Sequence, residues 1–185
     1  MFLITTMTKE ILKSVGRFSQ DDINLFEKKL ESKCFKKNEI LLNEGEICSS
    51  VFYIIKGSAY QFSNEDIDEN IIGLHIDKDW CLNYSSFINQ KPSNAIIKAY
   101  TDLEVIELTR TSIHELISLS TSFFQLGKVL EDTRIQYFDN ANTALQKHSH
   151  LFLSKSELFQ RFPLKMIASY LKIAPETLSR IRGKK

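Results

Sequence analysis

The chain has 185 residues, 43% of them apolar and 11% aromatic, with 24 Lys and Arg against 23 Asp and Glu. This is enough apolar material to core one domain or two small ones, and it excludes a disordered polar chain. No uncharged apolar run approaches the roughly 20 residues that cross a bilayer, so no membrane span is expected.

Met1–Met7 has neither a basic start nor a long apolar stretch, so no secretory signal is expected and the cytoplasm is the expected location. Helix signals begin at Ser19, an N-cap candidate before Gln20-Asp21-Asp22, with Ile23, Phe26 and Leu30 following on one face. Cys34, Cys48 and Cys81 lie 14 and 33 residues apart. Without a C-x-x-C they suit buried free thiols in a reducing compartment, and three cannot supply the four thiolates of an iron–sulfur cluster. No cofactor is expected.

From Cys34 to Leu108 short β-rich runs alternate with turn residues: 39–43, 51–55, 58–62, 71–76, 95–100 and 103–108. Glu44-Gly45-Glu46, Lys56-Gly57-Ser58 and Ser63-Asn64-Glu65-Asp66 separate them. Many short strands at this spacing predict an antiparallel jelly-roll barrel. Between Thr111 and His150 there is one Gly and no Pro, which leaves room for one or two helices. Leu130, Tyr137, Ala141, Ala144 and His148 line one stripe, and Ile135, Phe138 and Leu145 line its neighbour. A helix with two adjacent apolar stripes is covered on two sides, by the barrel and by a second copy, or by a single broad core in a monomer.

Ser154-Lys155-Ser156-Glu157 has the pattern of a capping box, opening a short helix that stops before Pro163. Pro163 suits the first position of the next helix, whose packed face is Leu164, Ile167, Ala168 and Leu171. After the turn Lys172-Ile173-Ala174, Pro175 opens a last helix with Leu178 and Ile181 inward. Small Ala168 at the crossing makes this a helix-turn-helix arrangement. Residues 154–185 carry a net +6 and residues 1–153 a net −5, the asymmetry of a polyanion-binding tail on an acidic body.

The run from Ile167-Ala168-Ser169-Tyr170-Leu171 through Pro175-Glu176-Thr177-Leu178-Ser179-Arg180-Ile181-Arg182 resembles the helix-turn-helix of the Crp/Fnr (cyclic AMP receptor protein/Fnr) family of bacterial regulators, closest to its Bacteroidetes branch. Asn38-Glu39-Ile40-Leu41-Leu42, Glu44-Gly45-Glu46, then Val51, Tyr53-Ile54-Ile55 and Gly57, are similar to the opening of that family's cyclic-nucleotide-binding-type barrel. Pro92-Ser93, Ile96 and Ala99 fit its later part. The resemblance implies an α+β chain in three parts: a sensor barrel with an N-terminal helix over 1–110, a helical connector and dimerisation helix over 111–153, and a helix-turn-helix domain over 154–185. It also implies double-stranded DNA and RNA polymerase as partners and a homodimer built on the long helix.

Members of that family that hold a cyclic nucleotide have a Gly-Glu pair for the ribose and an Arg-Ser or Arg-Thr for the phosphate. Aligned through Ala99, these positions read Leu82-Asn83 and Ser93-Asn94. A buried phosphate without its guanidinium loses roughly 1.5–3 kcal/mol, and the point charge of Lys98 is a poor replacement. Cyclic AMP and cyclic GMP are therefore not the expected ligands. Asn83, Ser85, Ser93 and Asn94 are candidates to line a pocket for another small-molecule effector; the alternative is a filled barrel. Lys172 stands where the family has Gly in the turn, at a cost of roughly 1 kcal/mol in a left-handed conformation. The 32-residue tail is shorter than the ~40 residues that fold alone, so it needs the long helix or a partner subunit to rest on.

In a major groove, Arg180 would bond guanine O6 and N7, and Glu176 would accept from cytosine N4. Thr177, Ser179, Arg182, Lys184 and Lys185 would touch phosphates. The alternatives are a solvated, frayed end for the last three and a helix-dipole role for Glu176. No catalytic motif appears: His75 has no second His beside it, and His114, His148 and His150 lack matching carboxylates, so neither a metal nor an enzyme is expected. A second reading is a degenerate barrel that binds a small molecule or a protein without binding DNA.

Overall fold

The computed structural model describes residues 2–64, 70–127 and 144–182. Helix α1 (Phe2–Val15) buries Ile11, Leu12 and Val15. Helix α2 (Gln20–Glu27) starts where the sequence predicts: Ser19 Oγ accepts from the Asp22 amide at 3.1 Å, and Asp22 Oδ2 accepts from the Ser19 amide at 2.9 Å. This reciprocal cap satisfies two amides that a helix start leaves open.

Strands β1 (Glu31–Phe35), β2 (Ile40–Leu42), β3 (Ser50–Lys56), β4 (Ala59–Ser63), β5 (Asn70–His75), β6 (Trp80–Cys81), β7 (Ile96–Ala99) and β8 (Leu103–Thr109) form two antiparallel sheets. Their orders are β1-β8-β3-β6 and β2-β7-β4-β5. Ile54, Leu103 and Val105 of one sheet and Ala59, Ile97 and Ala99 of the other are buried between them. Each large side chain sealed this way contributes roughly 1.5–3 kcal/mol relative to exposure. Gly57 makes the tight β3–β4 turn at φ +107°, and a Cβ there would lie 2.3 Å from the Asp102 carbonyl oxygen. Cys48 and Cys81 are buried free thiols, but Cys34 is exposed, because β1 is an edge strand with no layer over it.

Helix α3 (Tyr84–Asn89) interrupts the strands, and α4 (Arg110–Leu119) follows β8 directly. A 3-10 turn over Thr121–Leu126 then seats Phe123, fully buried, against Phe18 and Phe26 at 5.5 and 6.2 Å between ring centres. Leu130, Ile135, Tyr137, Phe138 and Ala141 of the expected stripes lie outside the described residues.

Helix α5 (Ala144–Lys155) runs through the expected capping box instead of ending before it. The next helix, α6 (Leu158–Arg161), has Glu157 as N-cap with no side-chain bond. Extending α5 keeps Leu151 and Lys155 on the barrel, and the Ser156-Glu157 turn then brings Leu158 inward. Pro163 sits at the N-cap of α7 (Leu164–Tyr170), one position earlier than expected, with ψ 151°. Pro175 opens α8 (Pro175–Arg182) as expected.

A second apolar cluster joins the outer face of β4 and β5 to this end of the chain. Tyr60, Phe62, Ile71 and Leu74 meet Leu151, Leu158, Phe162, Ile167, Leu171 and Leu178. The Ile71 amide donates to Ser169 Oγ at 3.0 Å. The short tail therefore rests on α5, through Leu151, as one expected support has it, and also on the barrel's own second sheet, which neither expected support includes. That contact explains why β4 is buried on both faces.

Candidate functional site

Helix α7 ends in a turn built by the backbone. The Ile173 amide donates to the Ala168 carbonyl at 3.0 Å and the Lys172 amide to that of Ser169 at 2.9 Å. Lys172 adopts φ 54°, the left-handed conformation such a helix end requires and the one Gly takes without strain. Ala168 of α7, Leu171 at its C-cap and Leu178 of α8 are all sealed at the crossing. A small side chain at 168 lets the two helices approach, and their orientation is held by packing.

The opposite face of α8 stays open. Glu176, Ser179 and Arg180 are exposed and Thr177 is half-buried, with Arg180 Nη2 3.5 Å from Thr177 Oγ1. Glu176 lies in the first turn of α8. Arg182 closes the helix, whereas Lys184 and Lys185 lie outside the described residues. Two of the tail's cations are already engaged: Lys155 Nζ meets Asp79 Oδ1 at 2.8 Å, and Arg161 Nη2 meets Asp77 Oδ2 at 2.7 Å.

In the barrel, the four polar residues singled out from sequence separate into two pairs. Asn83 and Ser93 are buried together: Asn83 Nδ2 donates to Ser93 Oγ at 2.9 Å, and Asn83 Oδ1 caps α3 by accepting from the Ser86 amide at 3.0 Å. Ser93 Oγ donates on to the Ala95 carbonyl at 2.6 Å. Their hydrogen-bonding groups are thus largely occupied by one another, and an incoming ligand would have to break that network. Ser85 and Asn94 are exposed.

Sequence reasoning missed two features. His75, on the β5 end beside Ala59, is half-buried as a residue, yet its Nε2 is sealed without a hydrogen-bond partner. Burial holds its pKa down to about 4, reinforced by Lys155 and opposed by Asp79. Gly73 is what makes room: a Cβ there would lie 2.8 Å from His75 Nε2. The Gly two residues before the His is the only trace of this in the sequence. The other feature is a half-open cleft of about 440 Å³ at the start of α4, with Ser49, Gln90, Arg110 and His114 among its walls. Burial also pushes the Cys81 thiol up, which leaves it inert.

Residues 32–120 match the family model described as the cyclic nucleotide-binding domain. The barrel is a domain of the cyclic nucleotide-binding fold. FixK2 from Bradyrhizobium japonicum shares the fold at a TM-score of 0.66 and 15% identity, over 84% of this chain and 83% of that one. A protein described as a transcriptional regulator of the crp/fnr family, from Eubacterium rectale, does so at 0.59 and 17%, over 89% and 82%. The Thermus thermophilus catabolite activator protein does so at 0.54 and 14%, over 90% and 83%. No curated protein matches the sequence. Among the described residues, no helix is long and apolar enough to cross a membrane.

Proposed function

We propose that this chain is a Crp/Fnr-type transcription regulator of the cytoplasm, binding double-stranded DNA through α7 and α8 as a helix-turn-helix. The observation that carries the reading is the sealed α7–α8 crossing, with Glu176, Ser179 and Arg180 exposed on the far side of α8. Arg180 reads guanine, Glu176 reads cytosine, and Thr177, Ser179, Arg182 and Lys184 hold phosphates. Likeness to a crp/fnr-family regulator over most of both chains supports the same reading.

The regulator works as a homodimer through the 111–153 connector, which spaces two recognition helices by about 34 Å. Leu153 is 86% exposed while its neighbour Leu151 is sealed on the barrel, so α5 has an apolar side left for a second copy. RNA polymerase is the onward partner, and the chain regulates rather than catalyses. Cyclic AMP and cyclic GMP are not its effectors: Asn83 and Ser93, which align with the ribose and phosphate positions, are hydrogen-bonded to each other, and no Arg stands at the phosphate position. Any effector is another small molecule reached through Asn83, Ser85, Ser93 and Asn94.

Base-resolved binding tests the assignment. Arg180→Ala should relax preference at one base position at a cost of about 1–3 kcal/mol, whereas Lys184→Ala should weaken all duplexes alike. If neither substitution changes affinity, α8 does not enter the groove. The two cations paired to the barrel favour the other reading, a ligand- or protein-binding barrel without DNA binding, and that null result would select it.

A further inference from the structure

The two carboxylates that meet the tail do more than pair charges. Asp77 Oδ1 accepts from the Gly57 amide at 2.6 Å while its Oδ2 holds Arg161. Asp79 Oδ2 accepts from the Ile76 amide at 3.0 Å while its Oδ1 holds Lys155. Each carboxylate is fixed by the barrel through one oxygen and presents the other to a cation of the tail. Lys78 between them is turned away to Glu10. Fixed anionic oxygens aimed at a Lys and an Arg are what a nucleic-acid backbone offers, and the Arg161 contact, Nη2 to Asp77 Oδ2 at 2.7 Å, is the length of a charge-assisted hydrogen bond.

We propose that Lys155 and Arg161 are further phosphate-binding residues, and that Asp77 and Asp79 mask them by occupying their head groups in place of phosphate oxygens. This rests on the DNA-binding reading above. All four groups are partly exposed, with side-chain accessibilities of 28% for Lys155, 18% for Asp79, 41% for Arg161 and 31% for Asp77. The more open pair, Arg161 with Asp77, is of the weak, solvent-screened kind, and both cations are accessible enough for phosphates at the local concentration of bound DNA to compete for them. Masking therefore lowers affinity and salt dependence without abolishing binding.

The experiment uses the full chain with Asp77→Asn and Asp79→Asn together. Asn keeps an oxygen for the Gly57 and Ile76 amides while removing the charge. Anisotropy on one duplex across a salt series should show affinity rising by roughly three- to tenfold. The slope of log K against log salt should steepen by about 2, near 0.9 for each phosphate newly held. The control, Asp102→Asn with Glu115→Gln, makes the same charge change but breaks pairs to Lys36 and Lys29 instead of pairs to the tail. It should raise affinity less and leave the slope unchanged.

Equal slopes for both double variants overturn the masking. If neither the wild type nor either variant binds DNA, heparin, a polyanion without bases, separates the two claims. A steeper heparin slope in the Asp77/Asp79 variant alone keeps the masking and discards DNA recognition. Equal heparin slopes, or no heparin binding, discard both.

Discussion

Acidification should destabilise this protein through His75. In the folded state its pKa is held near 4, chiefly by burial, whereas an unfolded chain returns it to 6.5. The folded state thus binds fewer protons, so stability present above pH 6.5 is lost as pH falls and levels off below pH 4. Between pH 7 and pH 5 the loss is about 2 kcal/mol, from roughly 1.36 kcal/mol per pKa unit with both states partly titrated at the ends of the range. The sealed Nε2 explains the size, since a proton there would have no acceptor. Other groups also titrate, so the comparison is with His75→Asn, which keeps a polar side chain there and removes the titration. Urea unfolding of both proteins at pH 7, 6 and 5 gives the difference directly. The wild type should lose about 2 kcal/mol more than the variant over that range. Parallel losses would mean that the imidazole is equally easy to protonate folded and unfolded, and the burial argument would fail.

Gly57→Ala should destabilise the barrel by roughly 3 kcal/mol or more, because its φ of +107° and a Cβ 2.3 Å from a carbonyl oxygen leave no relaxed position; thermal unfolding reads this, and a loss under 1 kcal/mol would refute it. Lys172→Gly should stabilise by about 0.5 kcal/mol, strain relief at φ 54° outweighing the added freedom of the unfolded chain; a lower melting temperature would show that the Lys172 side chain contributes more than its backbone strain costs. Cyclic AMP at millimolar excess should leave the melting temperature unchanged, since a ligand of the folded state would raise it by mass action; a clear rise would place a nucleotide where Asn83 and Ser93 now bond each other.

Where sequence signals were local, the fold could be read from them. Six of the strands and both N-terminal features of α2 follow from alternation and from Ser19 with Asp22, because each is decided within a few residues. The left-handed Lys172 was likewise visible as a non-Gly residue in a tight turn. Strand β1, whose Glu31–Cys34 are exposed on an edge, the two-residue strand β6 and the helix α3 were not, since the strands are held by partners far away in the chain. The capping box at Ser154 shows how a good local signal loses. Continuing α5 places Leu151 and Lys155 against the barrel, and that packing outweighs one cap.

The candidate site divides in the same way. The exposed face of α8 follows from helical spacing around Leu178, whereas the meeting of Asn83 with Ser93 depends on how α3 folds back on the strand that follows it. The masking of Lys155 and Arg161 was hidden because their partners, Asp79 and Asp77, lie 76 and 84 residues away.

Fluorescence anisotropy of the full chain on labelled duplex from its own upstream region, against scrambled duplex of equal length, at two salt concentrations, decides whether the helix pair is a DNA reader. A sequence-specific regulator binds the native duplex more tightly, with affinity falling steeply as salt rises, and loses the preference in Arg180→Ala. Equal weak binding to both duplexes, unchanged by Arg180→Ala and persisting across an effector screen, would contradict DNA recognition and leave the barrel as the functional part of the chain.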